Sequence, residues 1–192
     1  EPDSMKVQTL DIPDVKLISP DVSRDSRGYF MESFNLKNFC AEFSFRDFVQ
    51  DNESLSEYGV LRGLHFQRPP HAQAKLMRVV MGEVFDVAVD LRSDSSSFGK
   101  HVAVRLNGEK KQMLYVPRGF AHGFLVLSEK ALFTYKVDAY YHPESEMALN
   151  WQDPDLKIKW PIDEQKVILS GKDKSALSFS QLPCFEQIEW EQ

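Results

Sequence analysis

Val84-Phe85-Asp86-Val87-Ala88-Val89-Asp90-Leu91 sorts its side chains with a period of two. Phe85, Val87, Val89 and Leu91 fall on one side, and Asp86, Ala88 and Asp90 on the other. A helix would spread these residues around its circumference, whereas a strand separates them cleanly. Comparable short runs recur on both sides of this stretch, at residues 29–34, 48–51, 60–66, 76–81, 102–106, 113–116, 124–127 and 132–138. Turn residues punctuate them, and Asn107-Gly108 is the strongest such signal because both residues accept a positive φ. Many short strands with little helix predict an all-β sandwich or barrel.

One segment carries a helical period. Leu36, Phe39, Cys40 and Phe43 fall at i, i+3, i+4 and i+7, with Asn35 placed to cap the first turn. Such a stripe predicts a short helix laid on the barrel. Beyond Pro143 the alternation weakens, and the stretch through Trp151, Trp160 and residues 169–173 reads as a wrap of turns and short helices. The two tryptophans, flanked by Pro and Asp, are expected to pack that wrap. With no repeat, low-complexity tract or linker, residues 1–192 are expected to form one domain, Glu1-Pro2-Asp3-Ser4 reading as an added leader ahead of Met5.

Composition excludes several function classes. A formal charge of −6 disfavours nucleic acid or an anionic membrane as the main partner, although a local Arg/Lys cluster can still take a small anion. No window is apolar enough to span a bilayer and no secretory leader opens the chain, so a cytoplasmic protein is expected. Cys40 and Cys184 are too far apart to suggest a metal pair and read as two buried, reduced thiols. Fourteen phenylalanines predict an interior dominated by aromatic packing.

Three polar clusters interrupt the strand pattern: Gly59-Val-Leu-Arg62-Gly-Leu-His65-Phe-Gln67 running on to His71 and Lys75, Val116-Pro-Arg-Gly-Phe-Ala-His122-Gly, and Thr134-Tyr135-Lys136 followed by Tyr140-Tyr141. Pro117-x-Gly-x-x-His122 is similar to the second signature of cupins, jelly-roll barrels that often hold a metal. A metal-dependent cupin would use His65, His71 and His122. Yet Pro69-Pro70 breaks the strand between the first two, and Lys75 stands where a ligand carboxylate is expected. An ammonium offers no lone pair and repels a cation, so no metal and no cofactor are expected.

A histidine with a nearby lysine and tyrosine suits proton transfer beside a carbonyl instead. Imidazole removes a proton near neutral pH, a buried cation stabilises the enolate oxygen, and a phenol across the substrate returns a proton. Arg62 and His65, three residues apart, would point to opposite faces of a regular strand unless Gly63 permits a bulge. Asp86 is left open between orienting Lys75 or His122 and facing solvent. His71, His101 and His142 lie beside turns and are expected at the surface.

At these residues the chain resembles the dTDP-4-dehydrorhamnose 3,5-epimerase family, cupin-fold enzymes acting on a nucleotide sugar. The matching stretches are Asp25-Ser-Arg-Gly28 with Phe30 and Glu32, Val60 to His65, Pro70 to Lys75, Gly82 to Val87, Phe98-Gly99, Pro117 to Gly123, Tyr135 with Tyr141, and Leu169 to Asp173. The resemblance implies a jelly-roll epimerase in which His65 takes protons from C3 and C5 of a dTDP-4-keto-6-deoxy sugar. It implies Asp173 as the partner of His65, Lys75 at the enolate and Tyr135 as the acid. It further implies that Arg27 and Arg62 hold the diphosphate, that Phe30, Glu32, Gln50, Asn52 and Tyr141 lie at the nucleoside, and that His122 and Lys172 complete the binding site. A homodimer exchanging N-terminal strands is implied as well. Enzymes inverting only C3 or C5, and a non-catalytic sugar-nucleotide-binding cupin, are the competing readings.

Overall fold

The computed structural model describes residues 5–42 and 47–192. Four strands precede the first helix: β1 (Lys6–Thr9), β2 (Lys16–Ser19), β3 (Ser23–Asp25) and β4 (Gly28–Phe30). Helix α1 (Leu36–Glu42) leads into β5 (Gln50–Glu57), β6 (Leu61–Gln67), β7 (Lys75–Met81) and β8 (Glu83–Asp90). There follow β9 (His101–Asn107), β10 (Met113–Val116), β11 (Phe120–Val126), β12 (Lys130–Val137) and β13 (Glu146–Ala148), then α2 (Gly171–Lys174) and α3 (Gln187–Trp190) among 3₁₀ turns.

The strands form two antiparallel sheets, ordered β1-β2-β10-β7-β12-β5 and β13-β6-β11-β8-β9, while β3 and β4 pair only with each other. The two sheets close on a shared interior of Met77, Val79, Val84, Ala88, Leu114, Phe124 and Phe133. This is the all-β jelly roll expected of the sequence, with the irregular wrap behind it. In that wrap Trp151 is buried and accepts the Trp160 Nε1–H bond at its carbonyl, 2.8 Å away. Among the described residues, no helix is long and apolar enough to cross a membrane.

Both faces of β8 are covered, which the alternation alone could not say. Val84, Asp86 and Ala88 face the barrel interior, whereas Val87, Val89 and Leu91 pack outward against Leu149, Leu156 and Trp190 of the C-terminal wrap. The wrap therefore serves as a second layer on one sheet. Helix α1 covers part of the other sheet, placing Phe39 against Ile18, Leu76, Met113 and Tyr115. The Asn35 side chain caps it by accepting the Asn38 N–H at 3.3 Å. Phe43 of the predicted stripe lies outside the described residues.

Several sequence-based boundaries shift. The run at 29–34 ends as a strand at Phe30, and the run at 48–51 begins β5, which continues through Glu57. That extension was hidden by its polarity, because the inward side of β5 lines a cavity instead of the core. β1, β2, β3 and β13 lie outside the predicted strand set, being three or four residues long. Asn107-Gly108 does turn the chain, but between sheets: β9 pairs with β8, and β10 with β2 and β7. Asn107 Oδ1 accepts from Glu109 and Lys110 N–H groups, and Lys111, not Gly108, takes the positive φ of 58°. Cys184, expected to be buried, is an exposed free thiol. His71, His101 and His142, expected at the surface, are half-buried; His71 and His142 stack with ring centres 3.6 Å apart.

Candidate active site

A cavity of about 630 Å³ opens at one end of the barrel, lined by Arg62, His65, Lys75, His122, Tyr135 and Asp173 among others. A smaller lobe of about 200 Å³ shares Asn52, His65, Lys75 and Tyr135 and adds Gln50, Gln67, Gln73, Tyr141 and Glu146. Five strands and the wrap thus bring together residues from the three polar clusters of the sequence.

Gly63 is what lets β6 present both Arg62 and His65. In the pairing with β11, His65 lies opposite His122 and Arg62 opposite Phe124, so β6 carries one residue more than its partner. Gly63 has φ 135°, and a Cβ there would come within 2.5 Å of Gly123 Cα and 2.9 Å of the His122 carbonyl. Only glycine meets both conditions. The bulge resolves the odd spacing, placing Arg62 at the cavity wall with its Nε donating to Ser56 Oγ at 2.9 Å.

Asp173 arrives from outside the barrel. Ser170 caps the short helix α2 by accepting the Asp173 N–H at 3.2 Å, which turns the carboxylate inward. Oδ1 lies 2.5 Å from His65 Nε2, and Oδ2 accepts the Gly63 N–H at 3.3 Å. Burial pushes this carboxyl up, but the His65 contact, the Gly63 N–H and the Ser170 hydroxyl outweigh it and hold the group below the usual carboxylate range.

His122 makes a second pair. Its Nε2 lies 2.7 Å from Asp86 Oδ1, and both side chains are buried. Asp86 therefore orients His122 and does not face solvent. Burial raises the Asp86 carboxyl and lowers the His122 imidazole, and Asp86 Oδ2 has no hydrogen-bond partner among the described residues. Lys75 sits nearby at 8% exposure; burial pushes its ammonium down to about 8, against the pull of Glu146 and Asp86. Tyr135 is raised by burial and by the charge of Glu146, while Asn52 beside its hydroxyl acts the other way.

Gln50 and Asn52 of β5 lie together, Gln50 Nε2 donating to Asn52 Oδ1 at 3.0 Å and Gln50 Oε1 accepting the Tyr141 N–H at 3.1 Å. Lys172 forms an ion pair with Glu146, whose carboxylate also accepts the Tyr141 hydroxyl at 2.7 Å. Glu146 was missed by sequence reasoning. It lies in a strand of three residues, and only the pairing of β13 with β6, Ala148 opposite His65, brings it to the site.

Arg27, Phe30 and Glu32 are not brought to this cavity within the chain. Arg27 sits at the turn of the β3–β4 hairpin and forks onto Asp25, and Phe30 is 74% exposed. Phe30 and Glu32 line a separate cavity of about 520 Å³ with Asn35, Asn38 and Phe39. Among the described residues no three His, Cys, Asp or Glu side chains converge as a metal site. His71, the third histidine of the metal-dependent reading, lies away from the cavity against His142.

The family model for dTDP-4-dehydrorhamnose 3,5-epimerase matches residues 9–181. A dTDP-4-dehydrorhamnose 3,5-epimerase of Shigella flexneri is 50% identical over 176 residues, covering 91% of this chain and 96% of that protein. One of Pseudomonas aeruginosa is 50% identical over 184 residues, covering 94% and 99%. The crystal structure of dTDP-6-deoxy-D-glucose-3,5-epimerase from Legionella pneumophila, in complex with dTDP-4-keto-L-rhamnose, superposes with a TM-score of 0.90 at 48% identity, covering 93% of this chain and 95% of that one. Similarity of this extent, over the strands, the cavity and the wrap that carries Asp173, means that the chain belongs to the dTDP-4-dehydrorhamnose 3,5-epimerase family of isomerases.

Proposed function

We propose that the chain converts dTDP-4-dehydro-6-deoxy-D-glucose into dTDP-4-dehydro-L-rhamnose by inverting C3 and C5, with His65 as the base. The observation that carries this reading is the His65–Asp173 pair set in one cavity with Lys75 and Tyr135. With Nε2–H donated to Asp173, the His65 lone pair rests on Nδ1 and takes the proton of a carbon next to the C4 ketone. The bonding electrons move to the ketone oxygen, where the Lys75 ammonium stabilises the enolate. Tyr135 then donates its hydroxyl proton to the opposite face of that carbon, and the enolate collapses to the ketone with the centre inverted. Solvent returns a proton to Tyr135 and removes one from His65, so the net reaction is an isomerisation. The second carbon follows the same course.

Arg62 at the cavity wall suits one end of the diphosphate, since a guanidinium fork matches phosphate oxygens. Gln50, Asn52 and Tyr141 provide polar and aromatic contacts for the nucleoside, with His122 beside the sugar. Arg27, Phe30 and Glu32 are read as reaching the site of a second copy. The β3–β4 hairpin joins neither main sheet, and its exposed Tyr29 and Phe30 suit a homodimer contact. A cytoplasmic location suits both the free Cys184 thiol and a sugar-nucleotide substrate.

Incubating the keto-sugar nucleotide with the enzyme in deuterated water tests the reading. Deuterium at both C3 and C5, with the inverted product, is the expected result. Label at one carbon would make the chain a mono-epimerase, and no label would remove catalysis.

A further inference from the structure

We infer that Glu146 is a positioning residue of this site, tying Tyr141 and the Asp173-bearing segment to the cavity wall and fixing the charge that Lys75 faces. This rests on the epimerase reading and adds a residue to it. Two donors from separate segments meet on one Glu146 oxygen: Oε2 accepts the Tyr141 hydroxyl at 2.7 Å and pairs with the Lys172 ammonium. Lys172 immediately precedes Asp173. Helix α2 is only four residues long, and a Cβ at its Gly171 would meet nothing within 4 Å. So short a helix, with open space at that position, depends on its side-chain ties. These ties are the Ser170 cap, the Asp173 contacts to His65 and Gly63, and Lys172 to Glu146.

The second half of the inference is electrostatic. Glu146 lines the smaller lobe with His65, Lys75 and Tyr135 and is half-buried, where a charge is weakly screened. Burial pushes its carboxyl up, but Lys172 and Tyr141 outweigh this and hold it below the usual range. The groups facing this region are Glu53 from β5, Arg62 and His65 from β6, Lys75 from β7, Asp86 from β8, His122 from β11, Tyr135 from β12, Tyr141 from the loop after it, and Lys172 and Asp173 from α2. Of these charges, Glu146 and Asp86 favour the Lys75 ammonium and Lys172 opposes it. Loss of Glu146 and loss of Lys172 therefore break the same ion pair with opposite electrostatic consequences at Lys75.

The experiment is a pH profile of kcat for the wild type, Glu146→Gln and Lys172→Met, with Glu146→Asp as the charge-retaining variant. Both Glu146→Gln and Lys172→Met are expected to lower kcat at neutral pH by about tenfold through the loosened Asp173 segment. The alkaline limb is expected to move about half a pH unit down in Glu146→Gln, up in Lys172→Met, and back towards the wild type in Glu146→Asp. A merely structural role would lower activity while leaving the limb in place, and that outcome, or movement in the same direction in both variants, overturns the inference. If Glu146→Gln does not fold, the upward shift in Lys172→Met decides alone. Wild-type deuterium exchange measured alongside separates the two levels. Without it both the epimerase reading and this inference fall, whereas exchange with an unmoved limb removes only the role of Glu146.

Discussion

His65–Asp173 and His122–Asp86 are imidazole–carboxylate pairs of similar make-up on neighbouring strands, with the two histidines directly opposite in register. Their surroundings differ in two respects. Asp173 is supplied by the C-terminal wrap and receives the Gly63 N–H and the Ser170 hydroxyl in addition to His65. Asp86 is supplied by a strand inside the barrel, and its second oxygen has no partner among the described residues. The His65 side chain is 27% exposed towards the cavity, whereas that of His122 is 7% exposed. Asp173, met by these donors, is held below the usual carboxylate range, whereas burial raises the Asp86 carboxyl and lowers the His122 imidazole. The first pair thus opens on the cavity through His65, with a carboxylate partner met by several donors, and the second is a buried hydrogen-bonding surface.

The largest effect should separate the two histidines. Replacing His65 by Ala removes the proposed base and is expected to lower kcat by about 10³-fold or more, with deuterium exchange lost at both carbons. Replacing His122 by Ala is expected to cost about tenfold, because it removes a contact and not the proton acceptor. Measured side by side on folded protein, equal losses would erase the distinction drawn between the pairs. Next in size is Asp173→Asn. The shape remains, but the negative charge and the control of the His65 tautomer go, so kcat is expected to fall about 10²-fold. Asp86→Asn, which removes a charge the site already disfavours, is expected to lower kcat only a few-fold.

The asymmetry also explains what could be read from the sequence. His65, Lys75, His122 and Asp86 lie on strands whose alternation is visible, and the odd spacing of Arg62 and His65 pointed to a bulge at Gly63. Asp173 is different: no periodicity leads to it, and family resemblance alone pairs it with His65. Glu146 carried no signal, since its partners, Tyr141 and Lys172, come from the loop after β12 and from α2. β5 was legible only at its start, because Asn52 and Ser54 line the cavity and Ser56 meets Arg62 where a core strand would carry apolar side chains. Arg27 and Phe30 were set at the substrate by family resemblance, with Phe30 in a strand run at 29–34, and a single chain holds both away from the cavity. Alternation reveals surfaces that the chain buries against itself. It is silent on a group whose partner arrives from a distant loop.

The smallest and most direct contrast concerns stability against pH. The Asp173 carboxyl lies below its ordinary range in the folded chain, so its contribution is present above the unfolded value of 3.8 and is lost as pH falls through the lower folded value. The Asp86 carboxyl is raised by burial, so the folded state is favoured while it is protonated, and that advantage is lost as pH rises from 3.8 through the higher folded value. Replacing either by Asn deletes its own pH dependence. The melting temperature of Asp173→Asn relative to the wild type is therefore expected to worsen with rising pH across the acid range. That of Asp86→Asn is expected to improve as pH rises from 3.8 through the higher folded value. Melting curves from pH 3 to 8 at constant ionic strength measure both differences. Two slopes of the same sign would mean that the paired carboxylates share one electrostatic setting, and the division of labour between the histidines would then have to rest on exposure alone.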